Sequence, residues 1–572
     1  MPYTAPTRDI AFILEHVAGF DRVAATPRFA EATPDVVRAM LAESGRICEE
    51  VVHPLRRAGD ETPARLENGV VRVPPGHAEG YRAIAEGGFL AISAPPDHGG
   101  LGLPFALTTA VNEMMSGAAL ATQLTPLMAQ GQIEALENHA EDWIKALYIP
   151  KLASGEWTAT MNLTEPQAGS DVGALTTRAE PNGDGTYAIT GQKIYITGGD
   201  NDFAGNVSHL VLARLPDGAP GTKGISLFLV PKLLPDEAGR PGAPNRLRVV
   251  SLEKKLGLHA SPTCVMSYEG ATGWLVGAPH EGMRCMFTMM NNARVGVGMQ
   301  GLGAGEGAFQ HALAYALERR QGRSPLADGT GAIVDHADVR RMLATARADL
   351  YAARAIGLSC AVAIDMAQAT GDAAWDARAA LLTPVAKAFC TDTGIAVADT
   401  GIQLHGGMGV IEEAGAAQYW RDVRVTSIYE GTNGIQAMDL AGRKLADGGD
   451  AAQALLDEIE AEAEAARGRA PDLVEAVWQA AETLRETTEA LVANGDLNDR
   501  FGGAAPYLRG VARVLGGHFH LKAALAEGLS GPRTALARVY MRRLLPEHAA
   551  RLAEAREGAA DLYALSPEDL AA

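Results

Sequence analysis

One carboxylate, Glu430, stands in the stretch Ile428-Tyr429-Glu430-Gly431-Thr432-Asn433-Gly434-Ile435-Gln436, between an aromatic residue and a glycine turn. The Arg421-Asp422 charge pair lies just before it. A carboxylate in a mostly apolar, water-poor pocket is a stronger base than in water, because desolvation penalises its charged form. A glycine beside it lets a ligand approach the backbone. Such a group suits removal of a weakly acidic proton from carbon. A surface turn that happens to contain Glu reads the same way, so this stretch alone leaves both readings open.

Three more stretches stand in order along the chain: Met161-Asn162-Leu163-Thr164-Glu165-Pro166-Gln167-Ala168-Gly169-Ser170-Asp171, Gly191-Gln192-Lys193-Ile194-Tyr195-Ile196-Thr197-Gly198-Gly199, and Gln403-Leu404-His405-Gly406-Gly407-Met408-Gly409. With the Glu430 stretch they resemble the acyl-CoA dehydrogenase family, which forms flavin-dependent α,β double bonds in acyl-CoA thioesters. The resemblance runs from about residue 80 to 445. The long ends are similar to the subgroup that includes 3-methylmercaptopropionyl-CoA dehydrogenase.

The resemblance implies a role for each motif. Glu430 would be the base that removes the α-proton while the β-hydride goes to FAD. Its backbone N–H and a ribityl hydroxyl of the flavin would bond the thioester oxygen, where paired donors stabilise enolate charge. Some relatives carry the base on an earlier helix, before an arginine; here Ala293 fills that position, ahead of Arg294. Met161, Leu163, Thr164, Gly169, Ser170, Tyr195, Ile196 and Thr197 would contact the flavin. Thr432 and Gln436 would sit near it. Arg319 would hold pyrophosphate with its planar fork, with Arg320 and Arg323 as alternatives. Gln403, Gly406 and Gly407 would reach the FAD of a neighbouring subunit, and His405 beside them reads as structural. Ser170, Asn291, Arg294, Tyr429 and Gly431 would contact the acyl-CoA. No metal is implied.

The elements that must position these residues show as texture. Residues 1–155 read as helical, with apolar spacing as in Val36-Val37-Met40-Leu41 and a turn cluster at Pro95–Gly102. From 156 to 280, β-prone runs such as Tyr187–Thr190, Leu210–Ala213 and Ile225–Val230 alternate with turn residues, which predicts a small barrel or sandwich. Helical texture returns over 281–445. Residues 446–572 are Ala/Glu-rich, with helical runs at Ala451–Ala465, Val474–Ala493, Leu508–Leu525 and Arg533–Glu557. The expected fold is mostly α with a central β-barrel: a helical N-domain, the barrel, a four-helix C-domain and an extra helical region.

At 572 residues the chain is too long for one ordinary core. A net charge of −19 speaks against a nucleic-acid surface. The five cysteines are scattered without a CxxC pair, which suits reduced core thiols and a cytoplasmic setting. No signal peptide is read at the N-terminus and no apolar run reads as a membrane span. The expected partners are an acyl-CoA, an electron-transfer flavoprotein and a second subunit, as a homodimer or a dimer of dimers. An acyl-CoA oxidase using oxygen is the competing enzyme reading. A flavin-containing DNA-binding relative of the alkylation response is another. That role needs a basic stripe, whereas residues 447–572 hold 21 acidic and 13 basic side chains, with one local basic face at Arg533, Arg538, Arg542 and Arg543.

Overall fold

The computed structural model describes residues 3–572. Two compact units emerge: Ala42–Gly296, and Tyr3–Leu41 together with Val297–Ala572.

In the 42–296 unit a hairpin joins β1 (Arg65–Glu67) to β2 (Val70–Arg72). This corrects the all-helical reading of the first 155 residues. Asn68 and Gly69 both take positive φ, 51° and 79°. That is what a two-residue hairpin turn demands, and Asn-Gly is its strongest short signal. The barrel follows: β3 (Trp157–Asn162), β4 (Arg178–Pro181), β5 (Tyr187–Thr197), β6 (Asn206–Arg214), β7 (Ile225–Pro231), a small pair β8 (Leu233–Pro235) and β9 (Pro241–Pro244), then β10 (Leu247–Leu252) and β11 (Thr263–Val276). Strand β11 pairs β5, β5 pairs β4, β4 pairs β6, β6 pairs β7, and β7 returns to β11. This ring of five closes the sheet, with β10 added on β11 and β3 on β6. Closure removes the edges that an open sheet would leave unpaired. Ile189, Val211, Phe228, Val230, Met266 and Tyr268 pack together as its core.

The other unit is helical. Its long helices are Ala337–Thr370, Ala373–His405 and the C-terminal part of Gly282–Glu318. The last two run parallel and approach closely: a Cβ on Gly394 would meet the Gly301 carbonyl oxygen at 1.9 Å. Only glycine fits there. One window of helix Ala337–Thr370 is long and apolar enough to cross a membrane, yet 83% of that window is buried inside the protein. Its composition is that of a core helix.

Residues 446–572 form helices Asp450–Ala466, Pro471–Ala493, Ala504–Ala526, Pro532–Arg543 and Glu547–Ala555, with shorter ones between and after. The run read as one stretch over Arg533–Glu557 is two helices. They part at Leu544–Pro546, because Pro546 supplies no N–H and its ring clashes with the preceding turn. The extension is bound into the unit: His520 Nε2 lies 3.0 Å from the Ala348 carbonyl, and Arg513 bridges Asp349 and Glu547. Arg533 donates to Asp9 at 2.9 Å and covers the Phe12 ring at 3.9 Å. Asp9 also accepts from Arg347, which with Arg354 holds the buried Glu306 at 3.0 and 2.8 Å. Thus the first helix, Thr7–His16, is tied to the last hundred residues through ion pairs.

Candidate active site

In the barrel unit two of the predicted motifs lie side by side. Strand β3 ends at Asn162, and the chain turns back on itself where Glu165 and Ala168 exchange backbone bonds at 3.1 and 3.0 Å. The Ile194 N–H donates to the Thr164 carbonyl at 2.9 Å, placing Met161, Leu163 and Thr164 next to Tyr195, Ile196 and Thr197. Beneath them Lys193 reaches the Leu163 carbonyl at 2.9 Å and the Glu165 carboxylate at 2.8 Å. Glu165 also accepts from the backbone N–H groups of Thr176 and Thr177, from both their hydroxyls and from Gln167. Burial alone would raise its pKa, but the Lys193 charge and these donors hold it down to about 2. Burial lowers the Lys193 ammonium to about 8.

The predicted residues divide by exposure. Leu163 and Ile196 are buried, whereas Gly169 and Ser170 are exposed. A Cβ on Gly169 would meet nothing within 4 Å, so its backbone faces open space. Tyr195 is 61% exposed and sits at φ +61°, a left-handed conformation that is rare inside a strand.

On the Gly282–Glu318 helix Asn291 is exposed and Arg294 buried. Their side chains touch at 3.4 Å, and the Arg294 guanidinium lies 5.7 Å from the centre of the Phe287 ring. Neighbouring Asn292 donates to Glu134 at 2.8 Å. Burial pushes the Glu134 carboxyl up to about 7. No signal in the sequence marks Glu134, since one acid on a long helix usually lies on its solvated face.

In the helical unit Glu430 has φ +56° and Gly431 φ +88°. Two consecutive left-handed residues make a tight corner, and for Glu430 that conformation costs energy which its surroundings must hold. The corner enters helix Asn433–Ala441, capped by the Thr432 hydroxyl, which accepts from the Ile435 N–H at 3.2 Å. Tyr429 donates its hydroxyl to Gln300. Gln436 is fully buried, and its amide faces the carbonyls of Glu430 and Gly431 at 3.4 and 3.3 Å. Asn433, which the sequence reading passed over, contacts Lys387, Thr391 and Asp392.

Arg319, Gln403, Gly406 and Gly407 lie elsewhere in this unit. His405 stacks on Tyr315 at 4.4 Å and on His311 at 4.9 Å, and Nδ1 lies 2.7 Å from the Gly401 carbonyl. Burial lowers its pKa, which keeps a structural imidazole neutral. This stack brings the helix end bearing Arg319 to the Gly406–Gly407 turn. Gln300, the partner of Tyr429, lies about 22 Å back along the same helix at 1.5 Å per residue. One chain therefore does not bring Arg319 and Gly406 to Glu430. Gln403, Gly406 and Gly407 are exposed, as are Arg319, Arg320 and Arg323, and a Cβ on either glycine would meet nothing within 4 Å.

Models of the acyl-CoA dehydrogenase N-terminal, middle and C-terminal domains match residues 37–156, 160–271 and 280–445. A model described as "Acetyl-CoA dehydrogenase C-terminal like" matches 455–566. The chain is 44% identical over 526 residues to 3-methylmercaptopropionyl-CoA dehydrogenase of Ruegeria pomeroyi, covering 89% of this chain and 88% of that one. It is 36% identical to a broad-specificity linear acyl-CoA dehydrogenase of Mycobacterium tuberculosis, over 77% of this chain and 75% of that one. A solved acyl-CoA dehydrogenase of Bacillus anthracis, complexed with FAD, shares the fold with a TM-score of 0.75 at 21% identity, over 95% of this chain and 90% of that one. The closed barrel, the flanking helices and the motif order agree with these likenesses, and the chain belongs to the acyl-CoA dehydrogenase family of FAD-dependent oxidoreductases.

Proposed function

We propose that this acyl-CoA dehydrogenase oxidises 3-methylmercaptopropionyl-CoA or another short- to medium-chain acyl-CoA to the trans-2-enoyl-CoA, with Glu430 removing the α-proton. The observation that carries the assignment is the left-handed backbone of Glu430, held in a corner that closes on Gly431. Backbone strain of this kind is found where a fold fixes a working side chain. The substrate choice rests on the relative from Ruegeria pomeroyi.

The residues fit FAD by the chemistry of their donors. Gly169, Gly406 and Gly407 turn unobstructed backbone toward open space, as close approach by phosphate or a flavin ring requires. Exposed guanidinium at Arg319, Arg320 or Arg323 suits a pyrophosphate. FAD supplies the hydride acceptor that the β-carbon needs. The protein's own part is to align the thioester, accept the α-proton at the Glu430 carboxylate and stabilise the enolate oxygen with the Glu430 backbone N–H. Ser170, Asn291 and Arg294 would hold the CoA portion, and Tyr429 and Gly431 would border the acyl group.

Because Arg319 and Gly406 lie far from Glu430 along one chain, a homodimer in which each subunit completes the other's FAD site is the smallest assembly this reading allows. Four domains, divided near 155, 280 and 445, an electron-transfer flavoprotein as acceptor and a cytoplasmic setting complete it. The DNA-binding alternative loses ground because Arg533, part of the one basic face, is engaged by Asp9.

Anaerobic mixing of the purified flavoprotein with butyryl-, octanoyl-, isobutyryl- and 3-methylmercaptopropionyl-CoA tests the reading. Bleaching of the visible flavin band ranks the substrates, and bleaching by none of the four overturns the choice. Rapid oxygen consumption in aerobic turnover would favour the oxidase reading.

A further inference from the structure

We infer that Asn433 is a positioning residue for Glu430, an amide latch that ties the base corner to the Ala373–His405 helix; the inference rests on Glu430 being the base. Both ends of the amide are engaged. Its Oδ1 accepts from Lys387 Nζ at 2.9 Å and from the Thr391 hydroxyl at 3.4 Å. Its Nδ2 donates to Asp392 Oδ1 at 2.7 Å, to Thr391 Oγ1 at 3.0 Å and to the Ala388 carbonyl at 3.3 Å.

This arrangement exceeds what a helix start requires. Thr432 already caps the Asn433–Ala441 helix, so the Asn433 side chain has no capping task. Lys387 is wholly buried, and an ammonium there must be met by acceptors; the amide oxygen is one of them. An amide of this length offers one acceptor toward Lys387 and one donor toward Asp392, which neither Asp nor Leu in its place does.

Only Gly431 and Thr432 separate the latch from Glu430. Gly431 is at φ +88° and Glu430 at φ +56°, so the corner has no slack of its own to keep the carboxylate in place if Asn433 shifts. Gln436 braces the same corner from the other side, through its amide facing the Glu430 and Gly431 carbonyls. The latch thus converts the rigidity of a long core helix into a fixed position for the base, and a shift of about 1 Å in such a group slows a reaction about a hundredfold.

The polarity of the latch gives its test. In Asn433→Asp the new carboxylate still accepts from Lys387 but faces Asp392 with like charge. In the double variant Asn433→Asp/Asp392→Asn the donor comes from position 392 instead, which keeps the Lys387 bond and restores the bond between 433 and 392, while the longer bonds from Nδ2 to Thr391 and Ala388 stay lost. Flavin-loaded wild type, both variants and Glu430→Gln are mixed anaerobically with the acyl-CoA of the four above that bleaches wild type fastest. We expect Asn433→Asp to bleach about ten- to a hundredfold more slowly at unchanged flavin content and acyl-CoA affinity, with an altered pH profile. The double variant should return to within about threefold of wild type. Wild-type bleaching by Asn433→Asp, or slow bleaching that persists in the double variant, overturns the latch. If Asn433→Asp does not fold, Asp392→Leu alone, which removes the acceptor that Nδ2 meets, replaces it, with the same slowing expected and wild-type bleaching overturning the latch. A Glu430→Gln enzyme with the wild-type rate instead overturns the base assignment, which separates the two failures.

Discussion

Glu165 and Lys193 form an ion pair at 2.8 Å with 2% and 0% of their side chains exposed, directly beneath the two strand segments proposed to face the flavin. Such a pair is weak evidence of stability as a whole, but removing one partner leaves an uncompensated charge inside the protein. Lys193→Met should therefore destabilise the barrel unit by about 3–5 kcal/mol. It should also loosen the Leu163 carbonyl that Lys193 holds. Thermal unfolding of the flavin-loaded and flavin-stripped variant measures both: a lower Tm in each, and a smaller rise in Tm on adding FAD than in wild type.

Acid should unfold the protein through the same kind of group. Glu165, Glu306 and Glu547 are each held down to about 2 by neighbouring arginine or lysine charge against the opposing effect of burial. A carboxylate whose folded pKa is below its unfolded value binds fewer protons when folded. Its stabilisation is complete above the ordinary Glu value of about 4.3 and is lost as pH falls toward 2. Tm measured from pH 6 to pH 2.5 should fall steeply below about pH 4.5. A flat profile across that range would contradict the assigned ion pairs.

Glu430→Gln keeps the size of the side chain and removes its basicity. The enzyme should stay yellow and bind acyl-CoA with little change, while anaerobic bleaching slows by at least about 10²–10⁴. Stopped-flow absorbance and ligand titration distinguish this from a loss of binding.

At the crossing of the two parallel helices, Gly394→Ala should act on folding alone. The added methyl meets the Gly301 carbonyl oxygen at 1.9 Å, so the helices must separate. A loss of about 1–3 kcal/mol or more is expected from overpacking. Denaturant unfolding followed by far-ultraviolet circular dichroism reads it. Wild-type stability would mean that the helices are not packed this closely.

The C-terminal extension is part of the helical fold. Arg533→Ala leaves Asp9 with Arg347 and strips the guanidinium from the Phe12 ring. Stability should drop by about 1–3 kcal/mol while bleaching rates with acyl-CoA stay unchanged. A truncated protein lacking residues 446–572 should aggregate, because the cover over Ala348, Asp349 and Ala441 is lost.

Local chemistry along the chain encodes the elements and the motifs. Apolar periodicity and turn residues marked the long helices and the strands at Tyr187, Leu210 and Ile225, and four motifs in order carried the family. Asn68-Gly69 also held a legible hairpin signal, obscured by the helical texture around it. Tertiary structure alone decided which distant residues meet. That Asn433 finds Lys387 and Asp392, that Glu165 finds Lys193, and that Glu134 lies half-buried beside Asn292 depend on how elements pack, and no periodicity of one element records its partner. Backbone strain belongs to the same class. Glu430 and Tyr195 lie at positive φ although their residue types disfavour it, because contacts from elsewhere in the fold outweigh the local preference.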